Sequence, residues 1–377
     1  INTYFVSLGT VSHKEYMANY DEYKLFGKKA GELSDLPLYR VYKFNANTKN
    51  DGAYLGIPAS ECFSSTMNSM VSSLYDMLGM RHSKVFYAFD GNTPVTAALL
   101  NVDYILSGKK YLFMDPSDMY EVVYENDDMA LYRNSVAAPF GYTLPYGYDL
   151  PAESKSITLQ NELIRELLGE GAQLFYSVES EGSGTEVHFT ADRAGMHYAE
   201  NYSGVPKIEA EGGAFNKHVF KDLKASSIIY LGYAEAGEVI GLSSEDGEKE
   251  LEAGIYRLDQ EVLASFGEYM QGEHMENVTV DRTDTRITGT LSLSFEKRLV
   301  ISIPCEKCWT VYINGERAYP ATFGGSLMAF DLPAGEYEIS MRFRPYGMGA
   351  GIAVSVMCIG ICVWIYTKKV DKKYGLK

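Results

Sequence analysis

Cys305 and Cys308, separated by Glu306 and Lys307, have the spacing of a redox pair. A reactive thiol needs a lowered pKa, which a helix N-terminus or a neighbouring cation supplies. The flanking residues read instead as two strands joined by a loop, so a local disulfide outside the cytoplasm is the expected chemistry, with reduced thiols as the alternative. Two cysteines without a nearby histidine cannot fill a zinc site. The six histidines, His13, His82, His188, His197, His218 and His274, are scattered, and no metal or cofactor is expected. No GxSxG elbow, P-loop or helix-opening GxGxxG occurs, and no catalytic residue is assigned. Acidic clusters at Glu125, Asp127 and Asp128 and at Asp281 and Asp284 read as solvated faces. Tyr142, Tyr146 and Tyr148 offer rings on which a glycan could stack, or cover for a domain junction.

These residues must be positioned by a chain with a marked end. Gly347 to Tyr366 holds twenty residues without a charge, followed by Lys368, Lys369, Lys372 and Lys373. As a helix it reaches roughly 30 Å, the thickness of a bilayer's hydrocarbon core. Cations crowding one end mark the cytoplasmic side, so the tail 367–377 is expected inside and the preceding residues outside. Gly347, Gly351 and Ser355 form a small-residue stripe, expected to pack against other membrane helices, with self-dimerisation as the alternative use. The chain starts at Ile1 with no signal ahead of it, so delivery is expected from a removed signal or from the earlier part of a longer membrane protein.

The formal charge of −16 argues against nucleic acid and anionic headgroups as partners. Thirty tyrosines fit β-rich and carbohydrate-facing proteins, since the ring packs while the hydroxyl stays wet.

The fold class read from the pattern is α+β. Residues 1–150 form a mixed α/β unit. It holds a helix after the capping box Ser12-His13-Lys14-Glu15, a strand at Leu38 to Phe44, a turn at Asn50-Asp51-Gly52 and a helix at Met67 to Leu78. A short helix follows Thr93-Pro94, and a hairpin turns at Glu125 to Asp128. Residues 151–173 are a linker with a short helix from Asn161. Residues 174–345 read as a β-sandwich or jelly roll with one inserted helix at Leu258 to Met270, in two halves of similar layout. Asn314-Gly315 is a hairpin signal, because both residues accept positive φ.

The ordered segments Leu299 to Pro304, Trp309 to Gly315, Leu332 to Tyr337 and Arg344-Pro345 running into the apolar span resemble the C-terminal end of the YfhO family of bacterial membrane proteins. Upstream, Tyr39 to Tyr42, Phe63 to Asn68, Thr93 to Leu106, and Val123 to Asn126 followed by Met129 to Leu131 resemble the same family in the same order. Cys305, Cys308 and Asn314 depart from its usual aromatic, glycine and aspartate. The resemblance implies a many-pass glycosyltransferase of the GT-C type that moves sugar from a polyprenyl-phosphate carrier to a cell-envelope polymer such as lipoteichoic acid. Its catalytic acid would stand among N-terminal helices that this sequence does not contain. This portion would then position acceptor, its partners being envelope glycan, the carrier-linked sugar and further membrane helices. Arg40, Ser64, Ser65, Asn68 and Asn92, in the resembling segments, have side chains able to bond sugar hydroxyls or phosphate. They serve equally well to fix loops. The alternative class is a single-pass anchored surface protein that binds glycan without catalysis.

Overall fold

The computed structural model describes residues 12–34, 36–44, 46, 48–108, 120–213, 215–245, 247, 249–281, 283 and 285–374. Asp284 and the ends 1–11 and 375–377 lie outside the described residues. The architecture is α+β, as the pattern predicts.

The N-terminal segment holds α1 (His13–Tyr16), α2 (Tyr20–Leu33), β1 (Arg40–Lys43), α3 (Asp51–Leu55), β2 (Cys62–Phe63), α4 (Ser69–Met77), β3 (Phe86–Tyr87), α5 (Pro94–Leu99), β4 (Val102–Gly108), β5 (Tyr120–Glu125) and β6 (Met129–Asn134). Strands β1-β4-β6-β5 form one sheet, with β1 parallel to β4 and the other pairs antiparallel. Successive strand residues point to opposite faces. Val41, Tyr104 and Leu106 therefore meet Phe26, Ala30 and Leu55 of α2 and α3, while Tyr42 and Ile105 face the interior.

Two local readings are corrected. The helix after Ser12 breaks at residues 17–19, where Asn19 takes φ 59°, and restarts at Tyr20. Asn50-Asp51-Gly52 opens α3 rather than making a turn. Asp51 is buried 2.9 Å from Lys43 and accepts the Thr48 N–H at 2.8 Å, which fixes the helix start.

After β7 (Tyr142–Pro145), α6 (Ser156–Leu168) begins earlier than the expected Asn161. Lys155 offers no cap. The Ser156 hydroxyl instead donates to the Ser226 carbonyl, which ties the helix start to a distant loop, and burial pushes the nearby Glu200 carboxyl up to about 7.

Two pairs of antiparallel sheets complete the body. The first pair is built from β8 (Phe175–Val178), β9 (Ser180–Glu181), β10 (Glu186–Thr190), β11 (Gly195–Asn201), β12 (Ile208–Gly212), β13 (Phe215–Phe220), β14 (Ser227–Ala234), β15 (Val239–Ser244) and β16 (Ala253–Leu258). The orders are β13-β12-β15-β10-β9 and β14-β11-β16-β8. Val187, Phe189, Ile208 and Leu242 of one sheet share a core with Ala199, Ile229, Leu231 and Ile255 of the other. Next comes α7 (Gln260–Met270), capped by Asp259, whose carboxylate accepts the Glu261 and Val262 N–H groups.

The second pair uses β17 (Glu276–Val280), β18 (Arg286–Leu293), β19 (Lys297–Pro304), β20 (Trp309–Ile313), β21 (Glu316–Ala318), β22 (Ala321–Phe323), β23 (Leu327–Leu332) and β24 (Gly335–Phe343). The orders are β17-β18-β24-β20-β21 and β22-β23-β19-β7. Strand β7, which precedes the expected boundary at residue 150, pairs with β19 from Tyr142↔Val300 to Pro145↔Lys297. Asn314 (φ 51°) and Gly315 (φ 80°) turn the β20-β21 hairpin.

One central core joins the first sheet, helices α4 to α7 and the four-stranded sheet of each pair, while each five-stranded sheet packs on its partner through a separate core. The central core combines Tyr42 and Ile105 of the first sheet, Leu74, Leu163 and Phe266 of the helices, Tyr198 of β11 and Val300 of β19. The last helix, α8 (Met348–Tyr374), follows β24. Its stretch Met348–Lys369 is long and apolar enough to cross a membrane, and its most apolar part is not buried at all. Gly351 and Ser355 in its first turns, and Gly347 just before it, are exposed.

Candidate functional site

Arg40 serves the fold. Its guanidinium donates to the Leu100 carbonyl at 2.6 Å, the Ser302 hydroxyl at 3.1 Å and the Ser302 carbonyl at 2.7 Å, tying β1 to β19. Its N–H donates to Asp103 at 3.0 Å, whose carboxyl burial pushes up to about 7. Ser64 accepts the Thr66 N–H at 3.2 Å in a local turn, and Ser65 is exposed beside it. Asn68 caps α4 by accepting the Met70 N–H at 2.9 Å, and its amide donates to Glu306 at 2.9 Å. The 64–68 turn thus docks on the Cys305–Cys308 loop, where no bond joins the two cysteines. That loop adjoins the membrane helix, since the Arg344 N–H donates to the Cys308 carbonyl at 2.8 Å.

The three tyrosines of the Pro/Gly-rich segment do not make one stacking surface. Tyr142 is fully buried and donates to the Leu99 carbonyl, and Tyr148 leans on Phe323, whereas Tyr146 stands exposed.

Among the described residues, Asn92 is the sequence candidate that lines a substantial cleft. A cavity of about 460 Å³ opens between the N-terminal sheet and the β13–β14 region. Tyr42, Phe44, Phe220 and Tyr230 present rings to it, and His218 stacks edge-on to Phe220 at 4.6 Å. Gly91 (φ 81°) forms part of its floor, so close to β14 that a Cβ there would lie 2.6 Å from the Ile228 carbonyl oxygen. Asn92 bonds the Phe89 carbonyl at 3.0 Å and braces the same turn.

The polar groups of this cleft are mostly mutual partners. Arg81 pairs with Asp90 through one nitrogen and with Asp222 at 2.7 Å through another, clipping the two sides together. Tyr42 donates to Asp90 at 2.6 Å, and burial raises its phenol well above the usual range. Lys49 lies 3.4 Å from Asp222 and 4.2 Å from the Phe86 ring centre. Burial works against Asp222, yet the hydrogen bond and charge of Arg81, helped by Lys49, hold its carboxyl below the usual range. Asp222 also keeps a positive φ of 56°.

Glu61 differs. Among the described residues no hydrogen bond or ion pair reaches its carboxyl, and burial, then the charges of Asp90 and Asp51, push it up to about 8 against the opposing pull of Lys43 and Lys49. A neutral carboxyl beside aromatic rings can donate to a ligand oxygen. Burial likewise lowers the His218 imidazole.

A larger depression, about 820 Å³, lies along Ser177 to Glu181 and His188 to Thr190, but its lining is mostly exposed side chains, with Phe189 and the His188 imidazole as its rings. Convergent polar groups on an apolar wall mark a ligand site better than size does. Sequence reasoning missed Glu61, Arg81, Asp90 and Asp222 because no spacing rule joins residues brought together by a contact between separate sheets. Only the turn at Asp90-Gly91-Asn92, directly ahead of Thr93-Pro94, left a local signal.

The fold is an α+β body that leaves uncovered one terminal apolar helix, long enough to cross a membrane. The chain belongs to the bacterial membrane protein YfhO family, whose model matches residues 2–204 and 213–355, so the resemblance read from the motifs holds along nearly the whole chain. No curated protein matches its sequence. Among solved structures, a ruminal GH26 endo-β-1,4-mannanase is 10% identical over 32% of this chain and 26% of its own, with a TM-score of 0.16. YhaK from Escherichia coli is 9% identical over 54% of this chain and 94% of its own, with a TM-score of 0.17. Likenesses this slight carry no functional weight.

Proposed function

We propose that this chain is the extracytoplasmic portion and a membrane helix of a glycosyltransferase-like protein that moves sugar from a polyprenyl-phosphate carrier to a cell-envelope polymer of the lipoteichoic-acid kind. In this reading its body holds acceptor glycan rather than performing the transfer. Residues 1–150 and 174–345 act as the two sides of the holder, linked by 151–173, with the lysine-rich tail in the cytoplasm. Family membership supports the membrane setting. The single observation that carries the holding role is the ring-walled cleft between Tyr42, Phe44, Phe220 and Tyr230, with Asn92 and Glu61 on its lining. Among the described residues nothing covers the stripe Gly347, Gly351 and Ser355, which suits packing against further membrane helices.

Deleting the gene and measuring the glycosyl content of the envelope polymer tests the reading. Loss of the modification, restored by the intact gene, is expected. Unchanged glycosylation alongside retained glycan binding would favour an anchored binding protein instead.

A further inference from the structure

We propose that the cleft is a subsite for an uncharged, hydroxyl-rich sugar residue, with the Glu61 carboxyl donating a hydrogen bond to one of its oxygens. This deepens the acceptor-holding reading and rests on it only for the sugar's biological identity.

Three observations on the cleft converge. Its volume, about 460 Å³, lies within the span of ordinary ligand clefts, roughly 300–1,000 Å³. Its walls carry rings able to lie against the apolar face of a sugar. Its inner charges already neutralise one another: Arg81 is shared by Asp90 and Asp222, and Lys49 leans on Asp222. An incoming phosphate or carboxylate would find no uncommitted cation on the floor, since Lys221 stands exposed at the rim. A neutral ligand meets no such penalty, and Glu61 supplies the group without a partner among the described residues.

The donor exists only while Glu61 keeps its proton. From its own side Asp90 and Asp51 favour the proton, while Lys43 and Lys49 oppose it. Arg81 bridges the two sides, and across the cleft stand His218, Lys221 and Asp222. Because the carboxyl sits at about 8, it is protonated at neutral pH and ionised in mild alkali, where it can no longer donate.

The test uses the full chain in nanodiscs, titrated calorimetrically with methyl glycosides of glucose, galactose and N-acetylglucosamine and with their 6-phosphates. At pH 6.5 a neutral glycoside should bind, and its phosphate should bind at least about tenfold more weakly. At pH 9.5 the neutral affinity should fall about tenfold or more, following the protonated fraction. Glu61→Gln, isosteric with the neutral acid, should bind at both pH values without that fall, and Phe220→Ala should weaken binding at both. Absence of binding by all three glycosides, preference for the phosphates, or the same alkaline fall in Glu61→Gln would each overturn the proposal. Sugar binding with unchanged envelope glycosylation on deletion would sink the transferase reading and leave the subsite standing. Lost glycosylation without sugar binding would do the reverse.

Discussion

Arg40 and Glu61 are both polar residues in the N-terminal segment, yet their surroundings give them opposite uses. Arg40 is saturated by the Leu100 and Ser302 oxygens, so Arg40→Met should leave buried acceptors unpaired and lower stability by about 3 kcal/mol, read from urea midpoints. Glu61 is unsaturated, and its folded pKa of about 8 stands above the ordinary 4.5. Between those values the folded chain holds a proton that the unfolded chain has released, so this residue's contribution weakens as pH rises from about 4.5 and levels off above about 8. Glu61→Gln should therefore gain stability relative to the parent as pH rises through that window. Equal differences at pH 5 and pH 8.5 would contradict the assignment.

Among the elements, two glycines with nearly the same φ separate backbone strain from packing. Gly315→Ala (φ 80°) meets nothing within 4 Å and should lower stability by only about 1 kcal/mol. Gly91→Ala (φ 81°) adds a collision with the Ile228 carbonyl and should lower stability severalfold more, with the cleft distorted, as paired thermal melts would report. What the sequence revealed follows the same division. The Asn314-Gly315 hairpin, the start of α5 at Thr93-Pro94, and the turn between β5 and β6 are set by neighbours in sequence, and all were legible. The start of α6 was not, because Ser156 is held there by the Ser226 carbonyl, seventy residues away, rather than by a local cap. Nor was the placement of β7 beside β19, or the cleft, since each depends on residues far apart in the chain meeting across a core.

For the whole molecule, the central core joins the first sheet, helices α4 to α7 and the four-stranded sheet of each pair, each five-stranded sheet packs through a separate core, and α8 contributes to none of them. A chain ended after Tyr346 should therefore keep its melting temperature within about 2 °C and remain in solution without detergent, checked by calorimetry. A large drop would mean that α8 packs on the body. The central claim is that this body holds glycan for transfer at the membrane. Its most direct test is the glycosyl content of the envelope polymer in cells whose only copy of the complete protein carries Phe220→Ala together with Glu61→Ala, at matched membrane levels. The account predicts a severalfold loss of glycosylation relative to cells carrying the unaltered protein. Full glycosylation with the cleft so altered would contradict it.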